Sequence, residues 1–231
     1  APSDIAKSEF DLIVITNLFG PEVKKQLVAS FNIPAEKIHD YYENNFYDSR
    51  IALLRHAVSE ISERNIKGSI AEVGVYLGDF AKYMNKLLPD RKFYLFDTFE
   101  GFHQEDVKKD RELGFSESVE GQYCNTNIEL VLSKMTKKES CIVKKGFFPA
   151  TADGLEDQFS LVSLDVDLYQ PIYDGLVFFY KRLSTGGYIF VHDYNNIVFR
   201  GVKEAVRKFS QEYGAAYLPI SDIGGTAIIC K

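Results

Sequence analysis

Apolar runs of five or six residues recur along this chain, each followed by a stretch in which hydrophobic positions return every three or four residues. The runs predict strands at 69–73, 92–97, 140–144, 160–165 and 187–191, and the stretches predict helices at 79–88, 127–134, 172–183 and 202–213. The last helix is the most legible. Val202, Ala205, Val206, Phe209 and Tyr213 keep helical spacing while Lys203, Glu204, Arg207 and Lys208 stay polar. Strand then helix, repeated, predicts an α/β fold: a mostly parallel sheet with helices on both faces. The pattern closes differently, as strand 216–220, a turn through Gly224 and Gly225, and strand 226–230. An antiparallel strand is therefore expected at the C-terminal edge.

Upstream of this alternation, 10–16 reads as a strand and Gly20-Pro21 opens an amphipathic helix through Phe31, with Val23, Leu27 and Phe31 on one face. Pro34 breaks it, and 38–42 reads as a second strand. This small β-α-β piece, residues 1–45, is too short to stand alone. It is expected to be an N-terminal extension or the tail of an upstream module, with the main domain at 46–231. Asp48 is read as the N-cap of a helix over 49–64, where Leu54, Val58 and Ile61 form the apolar stripe. The stretch from Gly101 to Tyr123 is long, charged and without periodicity, which predicts a lid or a disordered loop.

With 231 residues and 45% hydrophobic content, the chain can bury a core of one domain plus an appendage. Eighteen Phe and 14 Tyr against no Trp predict aromatic packing without locating it. A net charge of −6 argues against a nucleic-acid partner, because phosphate binding wants a basic face. No apolar run reaches membrane-span length and no charged-then-apolar leader opens the chain, so a cytoplasmic protein is expected. The chain opens on Ala1 rather than Met, read as processing or as excision from a longer polypeptide. Cys124, Cys141 and Cys230 lack metal-ligand spacing and are expected as reduced, partly buried thiols.

Two clusters carry candidate chemistry. The first is Ile70-Ala71-Glu72-Val73-Gly74-Val75-Tyr76-Leu77-Gly78, an apolar strand containing a carboxylate, then a turn punctuated by two glycines. Residues without a Cβ permit a tight turn and a close ligand approach. A strand ending in Asp97 follows about twenty residues later, the separation at which an acid meets ribose hydroxyls in dinucleotide-binding folds. The bland alternative for Asp97 is a cap of its own turn. A pyrophosphate dinucleotide would want a third glycine that is absent here.

The second cluster is Ser163-Leu164-Asp165-Val166-Asp167-Leu168-Tyr169, followed downstream by His192 and Asp193 at the end of the next apolar strand. Asp165 and Asp167 are read at the C-terminal end of the strand, where alternation puts them on one side. Two like charges there call for compensation, and a divalent cation such as Mg²⁺ would supply it. Adjacent parallel strands would gather Asp165, His192 and Asp193. The alternatives are structural: Asp193 as a cap, His192 as a hydrogen-bonded core residue, and Asp167 at the start of a helix marked by Pro171.

Together with Phe96-Asp97-Thr98-Phe99-Glu100-Gly101-Phe102, Lys145-Gly146-Phe147-Phe148-Pro149-Ala150-Thr151 and His192-Asp193-Tyr194, these motifs resemble the TylF/MycF family of macrocin O-methyltransferases over about residues 47–231. The resemblance implies a class I methyltransferase, Rossmann-like in its sheet, that uses S-adenosylmethionine and Mg²⁺ to methylate a hydroxyl of a sugar or glycosylated small molecule. It implies that Glu72, Gly74, Tyr76 and Gly78 line the methionine end of the cofactor. It also implies that Asp97 holds the ribose, that Thr98 and Phe99 share that subsite, and that Asp165 borders the cofactor. Asp165 and Asp193 become the implied metal ligands, with Asp167 as base and Asp165 as its catalytic partner, and His192 is kept as a candidate third ligand from its place on the adjacent strand. His192 stands where the family pattern has an Asp. Rival readings are a catechol-type O-methyltransferase, a nucleotide-binding oxidoreductase and a non-catalytic cofactor-binding module. A homo-oligomer is one further expectation.

Overall fold

The computed structural model describes residues 9–16, 20–40 and 48–231. The chain divides into two compact units, residues 1–52 with 221–223, and residues 53–220 with 224–231. In the first, β1 (Ile13–Ile15) pairs in parallel with β2 (Ile38–Asp40) across the helix α1 (Gly20–Phe31). Ile15, Leu27, Ile33 and Ile38 form its small core. Gly20 is needed there because a Cβ would sit 1.5 Å from the Asp40 carboxylate. The first strand is shorter than expected; positions 41–42 of the second, and the capping role expected of the Asp48 side chain, lie outside the described residues.

The larger unit is built on a seven-stranded sheet in the order β5-β4-β3-β6-β7-β9-β8. Its strands are β3 (Ser69–Val73), β4 (Phe93–Asp97), β5 (Cys141–Lys145), β6 (Phe159–Leu164), β7 (Leu183–Val191), β8 (Tyr217–Ile220) and β9 (Thr226–Cys230). The first five run parallel, and β9 lies antiparallel between β7 and β8. This is the expected class I methyltransferase architecture. Helices α2 (Asp48–Glu63), α3 (Ala81–Leu87), α4 (Gln104–Glu112), α5 (Ile128–Ser133), α6 (Tyr169–Arg182) and α7 (Arg200–Tyr213) connect the strands.

Strand alternation sorts the core. Ala71, Val73, Tyr94, Phe96, Val162 and Leu164 join the cluster completed by Leu176 and Phe179 of α6 and by Val202, Val206 and Phe209 of α7. The intervening Ile70, Leu95, Leu161 and Phe190 are equally buried, as are Leu54, Ile61 and Met84 from α2 and α3. Burial on both faces explains why these strands read as continuous apolar runs. The aromatic excess is located under α6: Phe179 stacks on Phe148 at 5.8 Å and meets Phe159 edge-on at 5.0 Å. Each such ring contributes about 2–3 kcal/mol by burial. Helix α7 ends at Gly214, whose φ of +65° supplies the left-handed C-terminal stop. Among the described residues no helix is long and apolar enough to cross a membrane. The three cysteines are free, with Cys124 and Cys230 exposed rather than partly buried.

The stretch expected to be a lid or a disordered loop carries a helix. α4 is capped by His103, whose Nδ1 accepts from the Glu105 N–H, and it buries Asp106, Val107 and Asp110. Charged residues on the buried side erase the apolar periodicity that sequence reading relies on. Burial, with Asp174, Asp110 and Glu105 adding negative charge against His103, pushes the Asp106 carboxyl up to about 6. Its folded value thus exceeds its unfolded value of 3.8, so folding takes up a proton between these pH values. Stability from this group is full below pH 4 and falls as pH rises through 6. Asp106→Asn should therefore be more stable than the natural protein by about 2 kcal/mol at pH 7.5. The gap should close toward pH 4, and urea unfolding at both pH values measures it. A pH-independent difference would remove Asp106 as the cause.

Candidate active site

Strand order reverses between β3 and β6, because the chain leaves β3 toward β4 and β5 on one side and reaches β6 and β7 on the other. Ligands of open α/β sheets bind beyond the strand ends at such a switch point. Here the two strand ends are locked together. The Asp165 N–H donates to the Val73 carbonyl at 2.8 Å, and the Gly74 N–H donates to the Phe96 carbonyl at 2.9 Å. A Cβ on Gly74 would lie 2.1 Å from the Asp165 carbonyl oxygen. The glycine expected to admit a ligand thus admits the Asp165 backbone. Gly78, at φ +75°, makes room in turn for Val131 of α5 and for Met135. Glu72, 1% exposed, sits in the fully buried strand just before this turn.

Asp97 organises the loop above the switch point. Its Oδ2 accepts from the N–H groups of Val75 and Tyr76, both at 2.8 Å, and its Oδ1 accepts from the Phe99 N–H at 2.7 Å. Of the roles weighed from the sequence, the cap is present, since the carboxylate holds its own turn; it also clamps the glycine loop, which sequence reading did not anticipate. Thr98 holds that turn from the other side, its hydroxyl donating to the Gly101 carbonyl at 2.8 Å.

The carboxylates assemble, though not through strand alternation. β6 stops at Leu164, and Asp165–Leu168 forms a turn in which Asp167 adopts φ +59°. The expectation of a strand reaching Asp167 is therefore corrected: a left-handed residue breaks the two-residue repeat. His192, at the end of β7, places Nδ1 2.9 Å from Asp165 Oδ1 and 3.2 Å from Asp193 Oδ2. Candidate ligand atoms of these three residues all lie within 4.8 Å of one another. An octahedral divalent ion with arms of about 2.1 Å has edges of about 3 Å, so the donor set fits one. Burial raises the Asp193 carboxyl, but the His192 hydrogen bond and charge outweigh it. A hydrogen bond shared with Asp167 and another from Asn196 add to the effect and hold Asp193 below the usual carboxylate range.

Several supporting residues escaped sequence reading. Asn196 Nδ2 donates to Asp193 Oδ1 at 2.8 Å. The C-terminal hairpin turn props the same corner: Gly224 and Gly225 carbonyls accept from the Asn195 and Tyr194 N–H groups, both at 2.8 Å. A Cβ on Gly224 would strike Asp193 at 2.2 Å. Asp110, fully buried on α4, accepts the Tyr169 N–H at 2.9 Å and so caps α6, which has no side-chain cap of its own. Only the paired glycines left a signal in sequence. Tyr76, Phe99, Tyr123, Asp167 and Asp193 all carry φ between +47° and +68°. Such strain in non-glycine residues concentrates where function requires it.

Residues 46–231 match the macrocin O-methyltransferase (TylF) family. The 8-demethyl-8-(2,3-dimethoxy-alpha-L-rhamnosyl)-tetracenomycin-C 4'-O-methyltransferase of Streptomyces olivaceus is 26% identical over 198 residues, 79% of this chain and 72% of that protein. Among solved structures, the O-methyltransferase NovP aligns with a TM-score of 0.64 at 22% identity, covering 79% of each chain. The calicheamicin methyltransferase CalS11 aligns with a TM-score of 0.67 at 19% identity, covering 96% of this chain and 97% of its own. A family match across more than three quarters of the sequence, on a sheet whose switch point gathers the family's motifs, makes this chain an enzyme of the macrocin O-methyltransferase family.

Proposed function

We propose that the enzyme transfers a methyl group from S-adenosylmethionine to a hydroxyl of a sugar or glycosylated small molecule, assisted by a divalent cation. The observation that carries this reading is the meeting of Asp165, His192 and Asp193 beside the Gly74 turn. The names of the relatives support the acceptor class, since one acts on a rhamnosyl tetracenomycin. On this reading residues 46–231 form the methyltransferase domain and residues 1–45 an N-terminal extension or the tail of an upstream module.

The buried carboxylate of Glu72 has the chemistry to hold the α-ammonium of an amino-acid donor at the strand end. Asp97, through the loop it clamps and its remaining lone pair, orients the ribose; Tyr76, Gly78, Thr98 and Phe99 shape that subsite. S-adenosylmethionine supplies an electrophilic methyl group. Asp165, His192 and Asp193 would hold a divalent cation, whose positive charge would lower the pKa of the acceptor hydroxyl. The hydroxyl oxygen forms a bond to the methyl carbon as the carbon–sulfur bond breaks, leaving a neutral thioether, and Asp167 takes the hydroxyl proton. A carboxylate alone is too weak a base for an alcohol, which is why the cation site and Asp167 belong together. An imidazole among the donors favours a first-row transition ion such as Mn²⁺ over the harder Mg²⁺.

The test is incubation with methyl-labelled cofactor and a panel of methyl α-L-rhamnopyranoside, p-nitrophenyl β-D-glucopyranoside and thymidine diphosphate rhamnose, with Mg²⁺, with Mn²⁺ and with chelator. Label transfer that chelator abolishes supports the reading in full. Transfer indifferent to chelator removes the cation, and no transfer to any sugar removes the acceptor class. Asp97→Ala should weaken S-adenosylmethionine binding about tenfold or more, because three loop N–H groups lose their acceptor. Unchanged calorimetric affinity would count against Asp97.

A further inference from the structure

The excursion that carries α4 leaves and rejoins the body through a closed neck. The Phe102 N–H donates to the Gln122 carbonyl and the Gly121 N–H to the Phe102 carbonyl, both at 3.0 Å. Gly101 permits this approach, since a Cβ there would lie 2.4 Å from the Gln122 carbonyl oxygen. Tyr123 is the residue after the neck, held at φ +68°. Its ring meets Tyr76 at 5.2 Å and 60°, and Phe102 at 5.2 Å and 86°. Phe102 is backed by Phe199 at 6.2 Å, and the Tyr76 hydroxyl donates to Asn125 Oδ1 at 3.0 Å.

Two neighbouring rings thus hold this tyrosine, one of them backed by Phe199, yet it remains 38% exposed. A strained backbone that holds an aromatic ring partly in solvent gains little packing in return, which points to a ligand. Burial, with the negative charge of Asp167, pushes the Tyr123 phenol up, against a hydrogen bond from the Gln122 side chain that pulls it down. Its contact with Tyr76, whose N–H donates to Asp97, places the ring at the loop above the switch point. A pyranose offers a C–H face and a rim of hydroxyls, which matches an apolar ring with a polar tip.

We propose that Tyr123 binds the acceptor sugar, its ring against the C–H face and its phenol donating to a hydroxyl beside the one that is methylated. This rests on the reading of the site as a sugar methyltransferase. Tyr123 then selects the position methylated, because the donated hydrogen bond sets how the sugar is turned above Asp167.

The experiment compares the natural enzyme with Tyr123→Leu and Tyr123→Phe on the acceptors that accept label from the panel above. Tyr123→Leu should raise the acceptor KM about tenfold or more, with cofactor affinity and melting temperature unchanged. Tyr123→Phe should raise it about threefold to tenfold and give a mixture of positional methyl ethers. An unchanged acceptor KM in Tyr123→Leu, or an equal loss of cofactor affinity, overturns the proposal. Should Tyr123→Leu fail to fold, Tyr123→Phe decides alone by the same two criteria. A natural enzyme inert toward every sugar overturns the parent reading and this inference with it; an active one with an indifferent Tyr123 overturns this inference only.

Discussion

Asp165→Ala and Asp167→Asn are each expected to lower kcat by about a thousandfold or more, while S-adenosylmethionine binds within about threefold of the natural enzyme. The two residues share a turn but not a task. On the proposed reading Asp165 offers a cation ligand through its side chain, while its backbone carbonyl packs on Gly74 and its N–H closes the β3–β6 pairing. Truncation at Cβ removes the first without touching the second. Asp167 is left-handed at φ +59°, a conformation that Asn tolerates as well as Asp. Its amide therefore keeps the turn and loses only the capacity to take a proton. Initial rates and calorimetry separate chemistry from binding, and turnover within tenfold of natural in either variant would remove that residue from the mechanism. Added Mn²⁺ should not rescue Asp167→Asn.

Gly74→Ala should be the most damaging single methyl group in the chain. The new Cβ would fall 2.1 Å from the Asp165 carbonyl oxygen and 2.6 Å from its carbon, at φ +84° where an L side chain is already strained. Backbone cannot swing aside as a flexible side chain does. Either β3 and β6 separate at their ends or the Asp165–Leu168 turn moves. On the order of 3 kcal/mol of stability should be lost, together with cofactor binding and turnover. Gly154→Ala is the control: its φ of +72° carries the same left-handed strain, but nothing lies within 4 Å of its Cβ. That variant should lose only about 1 kcal/mol and keep full activity. Chemical denaturation of the pair separates contact from strain, and equal losses would show that the Asp165 contact contributes nothing.

Much of this site was legible in the chain because strand ends announce themselves. Apolar runs that stop at Gly74, Asp97, Asp165 and His192 place these residues at one edge of a parallel sheet, whatever the loops do. The residues that hold them were not legible. Asn196, Gly224 and Asp110 act on partners far away in sequence or across a turn, and no period marks them. The α4 helix was hidden for a related reason. Its buried positions carry Asp106 and Asp110, which sequence reading assigns to solvent.

The order of strands and helices, the class of fold and the identity of the acids at the strand ends follow from local patterns, since alternation and helical spacing depend only on neighbours along the chain. Which neighbour each acid meets is a tertiary matter. The left-handed turn at Asp167, the threefold duty of Asp97 and the pairing of His192 with two carboxylates arise when separate strand ends are brought within hydrogen-bond range. Close packing of backbones then leaves each side chain one place to go.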